Sequence, residues 1–198
     1  MDTSQLKQLW RKELGARRAA LSPAERVRFD QLILERLYQL PEWKKFDRIG
    51  AFVALGAEPN LESIIGKRIY LPRFDNNTGA YVMAEIRDRA KDLVRGRYGI
   101  PEPRPELPAA TAQELAQMLF LVPAVGCDRR GVRLGRGGGF YDRLLAGSAG
   151  SVAVIYSCQL VEQNLPAEEW DRPMDVVLTE LETIPIKAGY PGRLGEGK

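Results

Sequence analysis

Residues Leu121 to Leu145 read LVPAVGCDRRGVRLGRGGGFYDRLL. An apolar run from Leu119 to Pro123 leads to Asp128, then to a segment holding Gly131, Gly135, Gly137, Gly138 and Gly139, and a helical pattern opens at Phe140 or Tyr141. Glycine lets backbone N–H groups close around an anion, and the N-terminus of a following helix adds partial positive charge. Arg133 and Arg136 lie inside the segment and add donors suited to phosphate oxygens. A strand, a glycine-rich loop and a helix in that order predict a polyphosphate cradle at the carboxyl end of a strand, where open α/β sheets bind ligands. The spacing is neither the GxxxxGK of a P-loop nor GxGxxG, because Phe140 stands three residues after Gly137. Two other readings of the spacing stay open: a flexible surface turn, and an RGG-type RNA-associated segment at Arg136 to Phe140.

Outward from this loop, the chain alternates short apolar runs with helical patterns. Leu6, Leu9, Trp10 and Leu14 recur at helical spacing, with Lys7 and Arg11 on a neighbouring face. Ser22-Pro23-Ala24-Glu25 is a capping box that opens a second helix through Val27, Leu32, Ile33 and Leu37, ended by Pro41. Strands are predicted at Ile49 to Leu55, Ile69 to Leu71, Tyr81 to Ile86, Leu119 to Pro123 and Val152 to Tyr156. Short helices are predicted at Leu61 to Ile65, Ala112 to Met118 and Tyr141 to Ala146. With no tight hairpin signal between the strands, the pattern predicts a three-layer α/β/α fold, its mostly parallel sheet carrying helices on both faces. Pro101, Pro103, Pro105 and Pro108 read as a rigid surface loop within one domain spanning 1–198, and residues 189–198 as a fraying tail.

Composition removes several classes of chemistry. The 198 residues are 44% hydrophobic, and 29 basic against 26 acidic side chains leave a formal charge of +3, too mild for a dedicated nucleic-acid binder. There is no histidine, which excludes Ser-His-Asp and Cys-His sites, the HExxH zinc motif and any imidazole base. Cys127 and Cys158 fit neither a CxxC motif nor a disulfide framework, and no apolar run approaches the ~18 residues of a membrane span. The expectation is a soluble cytoplasmic protein that binds neither nucleic acid nor membrane, with a monomer favoured.

RLGRGGGFYDRLL, preceded by PAVGCDRRG, resembles the signature of the 5-formyltetrahydrofolate cyclo-ligase family. Lys7 followed by Arg11, Glu58 in AFVALGAEPN, GKRIYLPR at Gly66 to Arg73, YGIPEP at Tyr98 to Pro103 and the block from Gln159 to Glu180 also resemble family segments. The resemblance implies an ATP- and magnesium-dependent enzyme that cyclises 5-formyltetrahydrofolate to 5,10-methenyltetrahydrofolate, releasing ADP and phosphate. The γ-phosphoryl group would pass to the formyl oxygen, and N10 of the same folate would attack the activated carbon. The alternatives by class are a phosphosugar- or acyl-processing enzyme on a related scaffold, and an arginine-rich RNA-associated module.

Carried over residue by residue, the resemblance implies that Lys7, Arg11, Arg133, Leu134, Gly135, Arg136, Gly137, Gly138, Gly139, Phe140 and Tyr141 bind ATP, with Arg136 and Lys7 catalytic. Val53, Glu58, Arg136, Gly137, Gly138, Gly139 and Phe140 would contact folate, and Asp142 and Asp171 would ligate Mg²⁺, with Asp175 close enough in sequence to be confused with Asp171. Gly138 stands where some members carry lysine, Phe140 replaces the first of two tyrosines and so lacks a hydroxyl, and Trp170 replaces a polar residue.

Overall fold

The computed structural model describes residues 2–168 and 171–186; Trp170 and the tail at 189–198 lie outside them. Two seventeen-residue helices open the chain, α1 (Thr3–Ala19) and α2 (Pro23–Gln39), each begun by a capping box, at Asp2 with Gln5 and at Ser22 with Glu25. Pro41 ends α2 as expected, and it also starts a third helix, α3 (Pro41–Lys45), because proline suits a first helical position where no N–H bond is needed. Then follow β1 (Arg48–Gly50), β2 (Arg68–Asp75), β3 (Ala80–Ile86), α4 (Arg89–Asp92), β4 (Leu93–Arg95), β5 (Pro101–Pro103) and α5 (Ala112–Leu115). The chain continues through β6 (Met118–Pro123), β7 (Gly126–Asp128), β8 (Arg133–Leu134), α6 (Phe140–Leu144), β9 (Gly150–Val154), β10 (Leu160–Val161), β11 (Val176–Leu178) and β12 (Thr183–Pro185).

Seven strands form the central sheet in the order β12-β11-β9-β6-β1-β2-β3. Four of its six pairings are parallel, and only the edges β3 and β12 run antiparallel. Alternate residues of the inner strands point to opposite faces. Ile49, Leu119, Leu121, Val152 and Val154 pack under Ile33 and Leu37 of α2 and Trp43 of α3. Met118, Phe120, Val122 and Ala153 pack on the other face against Leu115 of α5 and Phe140, Tyr141 and Leu144 of α6. The expected mostly parallel sheet with helices on both faces is therefore present, although one layer is built from much shorter helices than the other.

The strand order places the site. From β1 the chain moves outward on one side to β2 and β3; from β6 it moves outward on the other to β9 and β11. Adjacent β1 and β6, in register at Gly50 and Phe120, thus form the topological switch point, and a crevice opens beyond their carboxyl ends. Gly50 admits this close packing, since a Cβ there would lie 2.5 Å from the Phe120 ring.

Several local expectations are corrected. The strand read at Ile49 to Leu55 stops at Gly50; Ala51 makes one last bond to Tyr70 of β2, and Phe52, Val53 and Leu55 go on to wall the crevice. Leu61 to Ile65 forms turns, not a helix. β2 and β3 make a hairpin, closed by the Asp75 side chain accepting from Asn77 N–H and the Thr78 hydroxyl, with Gly79 at φ 67°. Pro101 and Pro103 are not simple loop residues, for they sit in β5, antiparallel to β4. On α1, Leu6 and Leu9 are exposed, and Leu14 is the buried apolar residue. The face turned inward instead carries Lys7, Arg11 and Arg18 beside Leu14.

Candidate active site

A cleft of about 810 Å³ occupies the switch point. Its walls come from α1 (Lys7, Arg11), the segment after β1 (Val53, Glu58), the β2–β3 hairpin (Pro72, Tyr81), the β4–β5 arm (Ile100, Pro101, Glu102), and the run from Arg133 to Arg143. All thirteen residues read from sequence as binding ATP or folate line it, and so do Asp142 and Asp171. A parallel sheet brings these segments together because its crossovers return each strand end to the same edge.

The glycine loop is held in shape by contacts on both sides. Arg11 Nε donates to the Gly135 carbonyl at 2.8 Å, tying the loop to α1. A Cβ on Gly135 would fall 2.6 Å from the Arg133 guanidinium, so the glycine leaves that side chain room to tuck beneath the loop. Gly137 (φ 97°) and Gly139 (φ 61°) take left-handed conformations that L side chains adopt only under strain. Gly139 is also the N-cap of α6, and no side chain caps that helix, so its first amides lack side-chain acceptors at the cleft.

Each cation of the cleft has an acidic or carbonyl partner. Lys7 Nζ donates to Glu168 (2.7 Å) and Asp171 (2.6 Å), residues more than 160 positions away. Burial alone would lower the ammonium pKa, but these two carboxylates outweigh it and the net direction is upward, so Lys7 stays charged. Arg133, nearly covered, donates to Asp142 Oδ1 at 2.8 Å and lies over the Tyr141 ring. Burial raises the Tyr141 phenol, which keeps its proton. Arg136 is more than half exposed and donates to Glu58 Oε1 from Nη2 (2.8 Å) and Nε (3.2 Å). Phe140 and Tyr141 meet edge to face, and Tyr81 packs on Phe140, giving the cleft an aromatic corner.

Arg133 and Leu134 differ from the other loop residues in setting. They form β8, paired with β7, and Leu134 is buried against Leu14 and Val125, so it offers the cleft backbone more than side chain. Asp175, which the sequence leaves easy to confuse with Asp171, bonds Ser151 and does not line the cleft. Asp128 is structural: its buried carboxylate accepts from the backbone N–H groups of Arg130, Val132 and Leu165 and from the Arg130 side chain. Sequence reading missed Glu168, which lines the cleft, and Arg18, which does not line it but lies 3.8 Å from Glu58. Arg18 continues the helical spacing of Lys7, Arg11 and Leu14, a signal that was present, whereas nothing in the sequence marked Glu168 as the partner of Lys7.

The donor set also tests a metal. Among the described residues no three His, Cys, Asp or Glu side chains group as metal ligands. Asp142 and Asp171 nevertheless both face the cleft, one third or less exposed. Mg²⁺ commonly binds through one or two carboxylates together with substrate phosphates and waters. The residues therefore fit an ion that arrives on a polyphosphate and do not fit an all-protein cage.

Against known proteins, the model of the 5-formyltetrahydrofolate cyclo-ligase family matches residues 3–180. The chain belongs to that family. It is 32% identical over 174 residues to the 5-formyltetrahydrofolate cyclo-ligase of Escherichia coli K12, covering 82% of this chain and 94% of the relative. The solution structure of Aquifex aeolicus 5,10-methenyltetrahydrofolate synthetase is 33% identical, covers 93% of this chain and 94% of its own, and superposes with a TM-score of 0.79. A Mycoplasma pneumoniae 5,10-methenyltetrahydrofolate synthetase, 20% identical, shares the fold with a TM-score of 0.62 over 91% of this chain and 99% of its own. Among the described residues no helix is long and apolar enough to cross a membrane, and both cysteines are free.

Proposed function

We propose that this chain, acting as one catalytic domain, converts 5-formyltetrahydrofolate and ATP to 5,10-methenyltetrahydrofolate, ADP and phosphate in a magnesium-dependent reaction. The observation that supports it is the joining, in one cleft, of Lys7, Arg11, Arg136 and the loop Gly135 to Gly139 with an apolar and aromatic surface that includes Val53, Tyr81 and Phe140. The cationic part suits a polyphosphate, and the aromatic part suits a flat heterocycle.

An N-formyl group resists attack because its carbonyl is amide-like. Transfer of the γ-phosphoryl to the formyl oxygen breaks the bond to the β-phosphate oxygen, releases ADP and leaves an activated formyl carbon. N10 then bonds to that carbon, loses its proton, and expels phosphate as the ring closes. Nucleophile and electrophile belong to one molecule, so holding the folate folded lowers the barrier through proximity. Arg136, more than half exposed on the loop, stabilises charge on the transferring phosphoryl group. Lys7 and Arg11 hold the phosphates from α1, Glu58 orients the folate, and Phe140 stacks on its ring without donating a hydrogen bond. Asp142 and Asp171 are the carboxylates that would hold magnesium, which would screen phosphate charge.

The test is the absorbance of methenyl-folate in mixtures lacking folate, ATP or magnesium in turn, with ADP measured in parallel. Product only in the complete mixture is expected. ADP release independent of 5-formyltetrahydrofolate refutes the reading.

A further inference from the structure

Two arginines compete for one carboxylate oxygen. Glu58 is only 5% exposed, and its Oε2 is held by the Leu55 N–H. Its Oε1 takes both bonds from Arg136, while Arg18 Nη1 waits 3.8 Å from the same atom. The two guanidiniums differ in surroundings. Arg136 rides a glycine loop and is 56% exposed, whereas Arg18 is 12% exposed on a long helix. Arg18 Nε and Nη1 are buried without a hydrogen-bond partner, a condition native proteins rarely leave unexplained.

Under the function proposed above, Arg136 must turn from Glu58 to phosphate oxygens. That movement would strand a buried carboxylate, which is strongly unfavourable unless another cation takes its place. We propose that Arg18 is a positioning residue: when Arg136 leaves for the nucleotide, Arg18 closes the remaining gap to Glu58 Oε1 and keeps that carboxylate paired and in place. The exchange makes release of Arg136 inexpensive and ties nucleotide binding to the orientation of Glu58 toward folate. It also accounts for the unpartnered Nη1, which has a partner in one of two states. Burial lowers the Arg18 pKa, an effect that Glu58 opposes and that the nearby charge of Arg136 reinforces; departure of Arg136 removes that like charge from beside Arg18. This inference rests on the proposed nucleotide reaction.

The experiment measures MgATP affinity by calorimetry and separate KM and kcat values for both substrates, using the full chain. Arg18→Met removes the replacement cation and is expected to weaken MgATP binding and raise its KM by about tenfold or more. Arg18→Lys restores the charge and is expected to stay within about threefold of the parent protein. In a Glu58→Gln background no carboxylate needs a partner, so adding Arg18→Met is expected to change MgATP affinity by less than about twofold. A melting temperature for each variant separates these effects from unfolding. Should Arg18→Met not fold, Arg18→Gln carries the same expectation. Parental affinity in the uncharged variants, failure of lysine to rescue, or an undiminished loss in the Glu58→Gln background overturns the inference alone. Absence of MgATP binding by the parent protein overturns the proposed function, and this inference with it.

Discussion

Asp128 offers the sharpest structural test, because its substitution by alanine removes one acceptor from several donors at once. Its carboxylate, 1% exposed, receives the backbone N–H groups of Arg130, Val132 and Leu165 and two guanidinium donors of Arg130. Arg130 is 30% exposed, so its charge can turn to solvent at little cost. The Val132 and Leu165 amides lie in buried surroundings and would be left without partners. At ~1–3 kcal/mol for each orphaned donor, the expected loss is ~2–6 kcal/mol, centred near 4. With a urea slope of ~2 kcal/mol/M, the unfolding midpoint should fall by ~2 M. Asp128→Asn keeps one acceptor oxygen and should lose about half as much. The turn leads straight into β8 and the glycine loop, so nucleotide affinity should also fall at urea concentrations where the variant is still folded. A midpoint shift below ~0.5 M at unchanged slope refutes the reasoning.

Three further outcomes follow from the cleft and its surroundings. Arg136→Ala should lower turnover of 5-formyltetrahydrofolate by about a thousandfold, the scale of an arginine that stabilises a transferring phosphoryl, with the melting temperature nearly unchanged; turnover near the parental value removes the assigned role. Asp142→Asn should raise the magnesium concentration needed for half-maximal rate, and because it also strips Arg133 of its charged partner it should cost about 1–2 kcal/mol in urea unfolding; an unchanged magnesium titration takes Asp142 out of the ligand set. Asp30 accepts the Tyr156 hydroxyl at 2.7 Å, and burial outweighs that bond to raise its pKa. Its folded form thus holds a proton to higher pH than the unfolded chain, and the stability it contributes is present below ~3.9 and lost as pH rises through the folded value. Asp30→Asn should therefore gain on the parent protein in urea titrations as pH rises above the ordinary carboxylate range, and a difference that stays flat with pH counts against the assignment.

Local chemistry was the legible part of this chain. The capping box at Ser22, Pro23 at the start of α2, the apolar run into Pro123 and the glycines before Phe140 act through near neighbours, and the structure has them where the pattern placed them. Legibility failed where a segment's conformation depended on distant partners. Residues 51–55 are apolar enough for a strand, yet the strand ends at Gly50 and Phe52, Val53 and Leu55 wall the crevice. The β2–β3 hairpin was missed because its turn is set by Asp75 side-chain bonds, with no two-residue Asn-Gly loop. On α1 the inward face is cationic because its neighbours supply carboxylates and carbonyls, a fact the helix period alone cannot convey.

The sequence by itself determined the fold class, the anion-suited loop and the residue types that gather around it, since hydrophobic period and glycine placement are local properties of the chain. Only the tertiary structure decided that Lys7 meets Glu168 and Asp171, that Arg133 meets Asp142, and that Glu58 lies between Arg136 and Arg18. The physical reason is that a parallel sheet can order its buried strands in many ways that satisfy the same apolar pattern. The order adopted, with β1 beside β6, selects which charges converge at the cleft.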